Sequence, residues 1–222
     1  MVVTIDDKNY NVIIKDKEIK HGHMKVDIHN TIIISGYHVS EEAALKLIKD
    51  NVDWLRAAFK KNEKYNKNLN LDEVNNKEKV WLFGNCYDLQ TTKNADLHFK
   101  IDGKVLYHKG KFNVKKFQEH FMEIIRKRFM YFNEVFNKNA DLEFKLMHSK
   151  YGYCKFNENL IVLSRNIVHL PGELIDYIII HEFCHFKIHN HSKEFYDEVI
   201  KYCPDYKKRV KKLKEFAPLT RK

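Results

Sequence analysis

His181-Glu182-Phe183-Cys184-His185, running on through Phe186-Lys187-Ile188-His189-Asn190-His191, is the stretch on which the reading of this chain turns. It is an H-E-x-x-H, the arrangement of two zinc ligands with a general base between them. At 3.6 residues per turn, His181 and His185 lie about 40° apart on one helix face, one turn along. Both imidazoles therefore reach a single ion without bending the backbone. Glu182 points about 100° round from His181, which suits it to holding an attacking water rather than to ligating the ion. The plainer reading is a pair of histidines on a partly buried helix. Against it, the preceding run Leu174-Ile175-Asp176-Tyr177-Ile178-Ile179-Ile180 is apolar nearly all round, the mark of a buried helix. Two histidines and a glutamate at the end of such a helix need partners, because burying them unpaired is costly.

A catalytic zinc takes three protein ligands and leaves a fourth position open. His189 and His191 both follow the motif. On a continuing helix they would stand about 80° off the His181 line, on opposite sides. Asn190 tolerates the left-handed conformation that ends helices, so the chain is expected to turn there and swing His191 back to the ion. The expected site is thus one Zn2+ on His181, His185 and His191, with His189 the weaker alternative. Glu182 would take the proton of a water activated by the metal and pass it to the leaving group. The second donor to the developing oxyanion is not marked by any motif, and Lys150, Tyr151, Tyr153 and Tyr196 are the candidates.

Outward from the motif, Pro171 is expected to open the helix and Ser192 to cap the next one. Upstream, Leu142, Phe144 and Leu146 read as a strand. Tyr151-Gly152-Tyr153-Cys154-Lys155-Phe156 and Leu160-Ile161-Val162-Leu163 read as a hairpin across Asn157-Glu158-Asn159. Val114, Phe117, Phe121, Ile124, Ile125, Phe129, Phe132 and Phe136 recur at helical spacing from about Asn113, a core stripe rather than a cofactor box. Earlier still the chain reads as strands: Tyr10, Val12 and Ile14; Met24, Val26 and Ile28; Ile32 and Ile34; Val80 to Leu89 across Gly84-Asn85; Leu97, Phe99 and Ile101 with Val105 and Tyr107 across Asp102-Gly103. One helix interrupts them, capped by Ser40, with Leu45, Ile48, Val52, Leu55 and Phe59 as its stripe. Lys60 to Lys79, rich in Lys and Asn, is expected to be a loop. The fold class is α+β, a β-rich region over residues 1–110 with one helix and a helical metal-binding region over residues 111–222 with a hairpin.

The 222 residues, 44% hydrophobic and 32% charged, suffice for a real core. No stretch reaches the length of a membrane span, and the first residues lack the basic leader and apolar core of a secretion signal, so no membrane partner and a cytoplasmic location are expected. Cys86, Cys154, Cys184 and Cys203 form no C-x-x-C and suit reduced thiols, Cys184 as a small buried hydrophobe. The net charge of +10 favours anionic partners. It concentrates at Lys207, Lys208, Arg209, Lys211, Lys212 and Lys214, where a nucleic-acid patch competes with a solvated helix face docked by Val210, Leu213 and Phe216.

The pieces from Leu142 onward resemble the YgjP-like metallohydrolases, relatives of the SprT-like zinc peptidases. Their helix has the form P-x-E-x-(I/L)-D-Y-(V/I)-(V/I)-(V/I)-H-E-(L/F)-x-H, followed by N-H-S; here these are Pro171 to His185 and Asn190-His191-Ser192. Their preceding R-W-G-S-C-like segment corresponds to Lys150-Tyr151-Gly152-Tyr153-Cys154, where tyrosines replace Trp and Ser and Lys replaces Arg. The resemblance implies three histidines on zinc, and a β-rich N-terminal part packed beside a helical, zincin-like metal domain. It also implies a hydrolase acting on a peptide, or on a nucleotide as a UTP-type pyrophosphohydrolase. A DNA-associated metallopeptidase is the third form, as in some SprT-like relatives. The seven glycines form no phosphate-cradling cluster, which counts against the nucleotide.

Overall fold

The alternating apolar residues of the first strands build two hairpins, and a parallel pairing joins the hairpins. The computed structural model describes residues 1–19, 21–27, 29–93 and 98–220. The chain forms two compact units, Met1–Asn68 and Leu69–Lys222.

In the first unit, β1 (Val2–Ile5) and β2 (Lys8–Asp16) pair antiparallel, as do β3 (His23–Val26) and β4 (Ile32–Gly36). β2 and β4 run parallel, so the sheet order is β1-β2-β4-β3. Ile28, expected at the end of the β3 segment, lies outside the described residues. Two helices follow, α1 (Glu41–Asp50) and α2 (Val52–Leu69). Ser40 Oγ caps α1 by accepting the Ala43 N–H at 3.1 Å. Ile5, Val12, Ile32, Ile34, Ala44, Ile48, Leu55 and Phe59 make the core, with Tyr10 stacked on Phe59. Leu45, expected on the buried stripe, is exposed, and Ala44 takes its place.

The loop expected over Lys60 to Lys79 is a correction. α2 continues to Leu69, and α3 (Leu71–Asn75) follows it. Lys and Glu favour helix almost as well as Leu, so a polar composition does not by itself unwind a segment. The Asn62 amide also pins the helix, donating to Asp27 O at 2.6 Å and Asn30 Oδ1 at 2.8 Å. Leu69 and Leu71 are buried at the α2–α3 junction.

After α3, the second unit continues with a sheet of four strands, β5 (Lys79–Leu82), β6 (Asn85–Thr92), β7 (Phe99–Asp102) and β8 (Val105–Lys109), in the order β5-β6-β8-β7. Leu97, expected in the β7 segment, lies outside the described residues. The division expected at residue 110 falls inside this unit. The reason is shared packing. Phe117 and Phe121 of α4 (Val114–Val135) face the rings of Phe99 and Phe83 at 5.7 and 6.2 Å, so sheet and helix have one core.

A third sheet follows, of β9 (Asp141–Lys145), β10 (Gly152–Lys155) and β11 (Leu160–Ser164). Its order is β10-β11-β9, with β11 buried along its whole length and β10 an edge strand. β11 leads through a short 3-10 stretch, Arg165–His169, into α5 (Gly172–Cys184), α6 (Lys193–Tyr202) and α7 (Tyr206–Thr220). Pro171 stands just before the first turn of α5 rather than within it. The mixture of three small sheets and seven helices among the described residues is α+β. None of these helices is long and apolar enough to cross a membrane.

Candidate metal centre

α5 is buried almost all round, from Leu174 to Ile180, and delivers His181 and Glu182 in its last turn. The helix stops at Cys184, earlier than expected. His185 caps it in right-handed conformation, and the Phe186 and Ile188 N–H groups fold back to Phe183 O and Cys184 O. Asn190 is not left-handed; its Oδ1 accepts the Ser192 N–H at 3.3 Å instead. Side chains of the turn take up carbonyls that a continuing helix would have used. His185 Nδ1 meets Ile188 O at 3.0 Å and His189 Nδ1 meets His185 O at 2.9 Å. The expected reason for the turn was therefore wrong, although the turn does bring His191 back.

His181, His185 and His191 each offer a ring nitrogen, and these atoms lie within 4.8 Å of one another. His181 Nε2 and His191 Nε2 are 3.0 Å apart. With its Nδ1–H given to Ile188 O, His185 keeps a lone pair on Nε2. His189 is not in the group; its ring stacks on Phe156 with centroids 3.7 Å apart. Phe195, fully buried in the first turn of α6, floors the cluster at 4.5–5.0 Å from all three imidazoles.

Burial, then the neighbouring His185 and His191, drives the His181 pKa down to about 3. Burial lowers that of His185 as well. Both are thus neutral lone-pair donors at pH 7. Two imidazole lone pairs converging at this range repel unless a proton or cation lies between them. The donor set fits a divalent ion that takes nitrogen ligands.

Glu182 is 6% exposed. Burial pushes its carboxyl up to about 8, with Lys150 pulling the other way. It lines a cavity of about 510 Å³ together with the three histidines, Lys150, Tyr153 and Tyr177. Lys150 Nζ stands 4.0 Å from the centre of the Tyr153 ring. Tyr151 also borders the cavity, but it is buried and its hydroxyl accepts from Thr220 Oγ1 at 3.2 Å. Tyr196 is not among the lining residues described; it stacks on Tyr206 at 5.3 Å.

Tyr177 was missed. Its hydroxyl lies 3.5 Å from His181 Nδ1, the nitrogen turned away from His191, and burial raises its pKa. The signal was present in the spacing, since Tyr177, His181 and His185 follow one another at i, i+4 and i+8 on one helix face. Cys184 is buried and free, as a small hydrophobe would be.

The basic helix α7 docks through buried Leu213 and Phe216, with Val210 half-buried. Two of its cations are internal ties. Arg209 donates to Glu173 O at 2.9 Å and Lys212 to Glu173 Oε1 at 2.6 Å. Lys207, Lys208, Lys211 and Lys214 face solvent.

The model of one protein family, described as YgjP-like, metallopeptidase domain, matches residues 20–216. Among solved structures, the metallopeptidase zymogen of Pyrococcus abyssi abylysin is 21% identical, covering 44% of this chain and 96% of its own, with a TM-score of 0.38. That of Methanocaldococcus jannaschii jannalysin is 25% identical, covering 46% and 95%, with a TM-score of 0.32. No curated protein matches the chain.

Proposed function

We propose that this chain, which belongs to the YgjP-like metallopeptidase family, hydrolyses peptide bonds with one zinc ion on His181, His185 and His191 and with Glu182 as general base. Membership makes the chain a hydrolase of the metallopeptidase type and implies a divalent metal. The observation that carries the finer reading is the convergence of three histidine nitrogens within 4.8 Å, beside a buried glutamate in one cavity.

Zinc held there supplies Lewis acidity, which activates water at neutral pH and polarises an acyl carbonyl. The chain's own residues do the rest. His185 is oriented by Ile188 O and His181 faces the Tyr177 hydroxyl, contacts that fix which nitrogen each ring turns to the metal. Glu182 takes the proton from the attacking water as the carbon–oxygen bond forms, and returns it to the amine as the peptide bond breaks. Lys150 and Tyr153 border the cavity and are the proposed donors to the oxyanion. Tyr151, whose hydroxyl is hydrogen-bonded to Thr220, and Tyr196, whose ring stacks on Tyr206, are the weaker candidates.

A peptide fits the cavity better than a nucleoside triphosphate does. Lys150 is the one lysine or arginine among the lining residues described, against several phosphate charges. We assign α7 a structural role, given its ties to Glu173. Loss of a salt-sensitive mobility shift on DNA in a Lys207, Lys208 and Lys211 triple neutralisation would reinstate a nucleic-acid partner.

The deciding experiment assays zinc-loaded protein on casein-type peptides and on UTP side by side, with Glu182→Gln as control and metal content by elemental analysis. Peptide turnover should fall by about 10²–10⁴-fold in Glu182→Gln with zinc retained. Zinc should be lost in His181→Ala, His185→Ala and His191→Ala, and kept in His189→Ala. Turnover of UTP alone would replace the substrate class, and full activity in zinc-bound Glu182→Gln would remove the base.

A further inference from the structure

Gly152 opens the edge strand β10, opposite Leu163 of β11. Its backbone is not left-handed, unlike that of Gly84, Gly103 and Gly110, so any residue could adopt its conformation. Space is what keeps a side chain out. A Cβ on Gly152 would lie 2.9 Å from Glu182 Oε1, 3.1 Å from Glu182 Cγ and 3.0 Å from Leu163 Cδ2. Carbon contacts settle at about 3.5–4.0 Å. The Glu182 side chain thus presses against the bare Cα of the strand, in the volume a β-carbon would fill.

We infer that Gly152 is a positioning residue for Glu182: by carrying no side chain, it lets β10 close on the glutamate and holds its carboxylate in place beside the three histidines. The inference rests on the reading of Glu182 as the base. Gly152 also borders the cavity, but its part is to seat Glu182, which is buried and cannot retreat into solvent. A base displaced by even half an ångström from its productive position loses much of its effect. The competing account is that Gly152 only makes room for Leu163, a matter of strand packing. Removing the glutamate side chain separates the two.

The first measurement is thermal unfolding of the metal-free protein, which needs no substrate. Gly152→Ala should lower the midpoint by on the order of 5 °C, the usual consequence of overpacking in a chain of this size. In a Glu182→Ala background the same substitution should cost less than about half as much, because the volume has been vacated. Equal losses in both backgrounds would assign the crowding to Leu163 and overturn the inference.

The second measurement is turnover of casein-type peptides by zinc-loaded protein. Gly152→Ala should reduce kcat by about 10-fold or more, up to the full 10²–10⁴ of a lost base, with KM changed by less than about threefold and zinc content unchanged. Added to Glu182→Gln it should cost nothing further. Multiplying losses, or a Gly152→Ala kcat within about twofold of wild type, would overturn the inference. Loss in Glu182→Gln with full turnover in Gly152→Ala brings down the positioning role alone. Full turnover in Glu182→Gln brings down the general-base reading and this inference with it.

Discussion

The first hairpin of each unit turns on two residues of left-handed backbone, Asp6 and Asp7 in one, Phe83 and Gly84 in the other. This is what the right-handed twist of paired strands asks of a two-residue turn. The frames behind the turns are alike as well. Val12–Asp16 runs parallel to Ile32–Gly36 in the first sheet, and Asp88–Thr92 runs parallel to Val105–Lys109 in the second. In the first unit the turn meets solvent, and Asp6 pairs with Arg56 of α2 at 2.6 Å. In the second it is packed. The Phe83 N–H donates to Val168 O at 2.9 Å, and a Cβ on Gly84 would come within 2.7–2.9 Å of Pro171. Pro171 is the residue from which α5 sets out toward His181 and Glu182. The same hairpin frame therefore serves once as a surface feature and once as a prop under the helix that carries His181 and Glu182.

The sharpest way to break this comparison is to place alanine at the second position of both turns. Gly84→Ala combines left-handed strain at φ 81° with a collision against Pro171. A loss of about 2–5 kcal/mol is expected from the two together. Zinc affinity should fall with it, because the start of α5 must move. Asp7→Ala, at φ 60°, adds no β-carbon and removes only the polar side chain that helps aspartate tolerate left-handed backbone, so it should cost less than about 1 kcal/mol. Denaturant unfolding measures both, and equal losses would mean that the second turn props nothing.

A smaller contrast lies in two forked Arg–Asp pairs. Arg56 holds Asp6 in the first unit through Nε and a terminal nitrogen at 2.8 and 2.6 Å. Arg128 of α4 holds Asp176 of α5 in the second in the same way, at 2.5 and 2.6 Å. The Asp6 side chain is 56% exposed and that of Asp176 17%. Solvent screens the first pair far more than the second. Asp176→Asn should cost about 1–2 kcal/mol of stability. Asp6→Asn should leave the unfolding midpoint where it was. A measurable loss in Asp6→Asn that matches the other would show burial to be irrelevant here.

What could be seen beforehand in the residues follows from how local each signal is. The H-E-x-x-H, the hairpins and the Phe-rich stripe of α4 depend on neighbours within a turn or two, and they appear close to where expected. The turns fall at Phe83-Gly84 and Gly103-Lys104, one residue off, and Val114 and Ile124 of the stripe are exposed. The parallel pairing of β2 with β4 and of β6 with β8 leaves no such trace, because alternation does not say which strand lies alongside. Residues 60–75 look like a loop by composition and are helical on both sides of Asn70 because Asn62, Leu69 and Leu71 find partners and burial. The close approach of Glu182 to Gly152 joins residues thirty apart and leaves no mark in the local sequence. His191 was reached through the wrong cause. Asn190 looked like the helix terminator, whereas His185 and His189 close the turn through their own Nδ1 atoms.

The smallest expected effect concerns that turn and its response to pH. Glu198, buried on α6, accepts from Lys201 at 2.6 Å and from Lys187 at 2.9 Å, and Lys187 lies in the turn between His185 and His191. The Lys201 hydrogen bond first, then that of Lys187, holds the Glu198 carboxyl below its ordinary value of 4.5. A depressed carboxylate stabilises the fold above its unfolded pKa, and that contribution disappears as pH falls through the folded value. Glu198→Gln should therefore cost on the order of 1 kcal/mol at pH 7, both lysines being largely exposed. The deficit relative to wild type should close as pH falls below about 4.5, where wild-type Glu198 takes up its own proton. In the first unit the Arg56 hydrogen bond lowers the Asp6 carboxyl too, yet that pair is open to solvent, so Asp6→Asn should show no deficit at either salt concentration, while most of that of Glu198→Gln persists at high salt. Unfolding midpoints of Glu198→Gln and Asp6→Asn between pH 3 and 7, at low and high salt, make the comparison. A Glu198→Gln deficit that stays constant across this range would mean that the carboxylate acts by shape alone, and the electrostatic tie between α6 and the histidine turn would have to be given up.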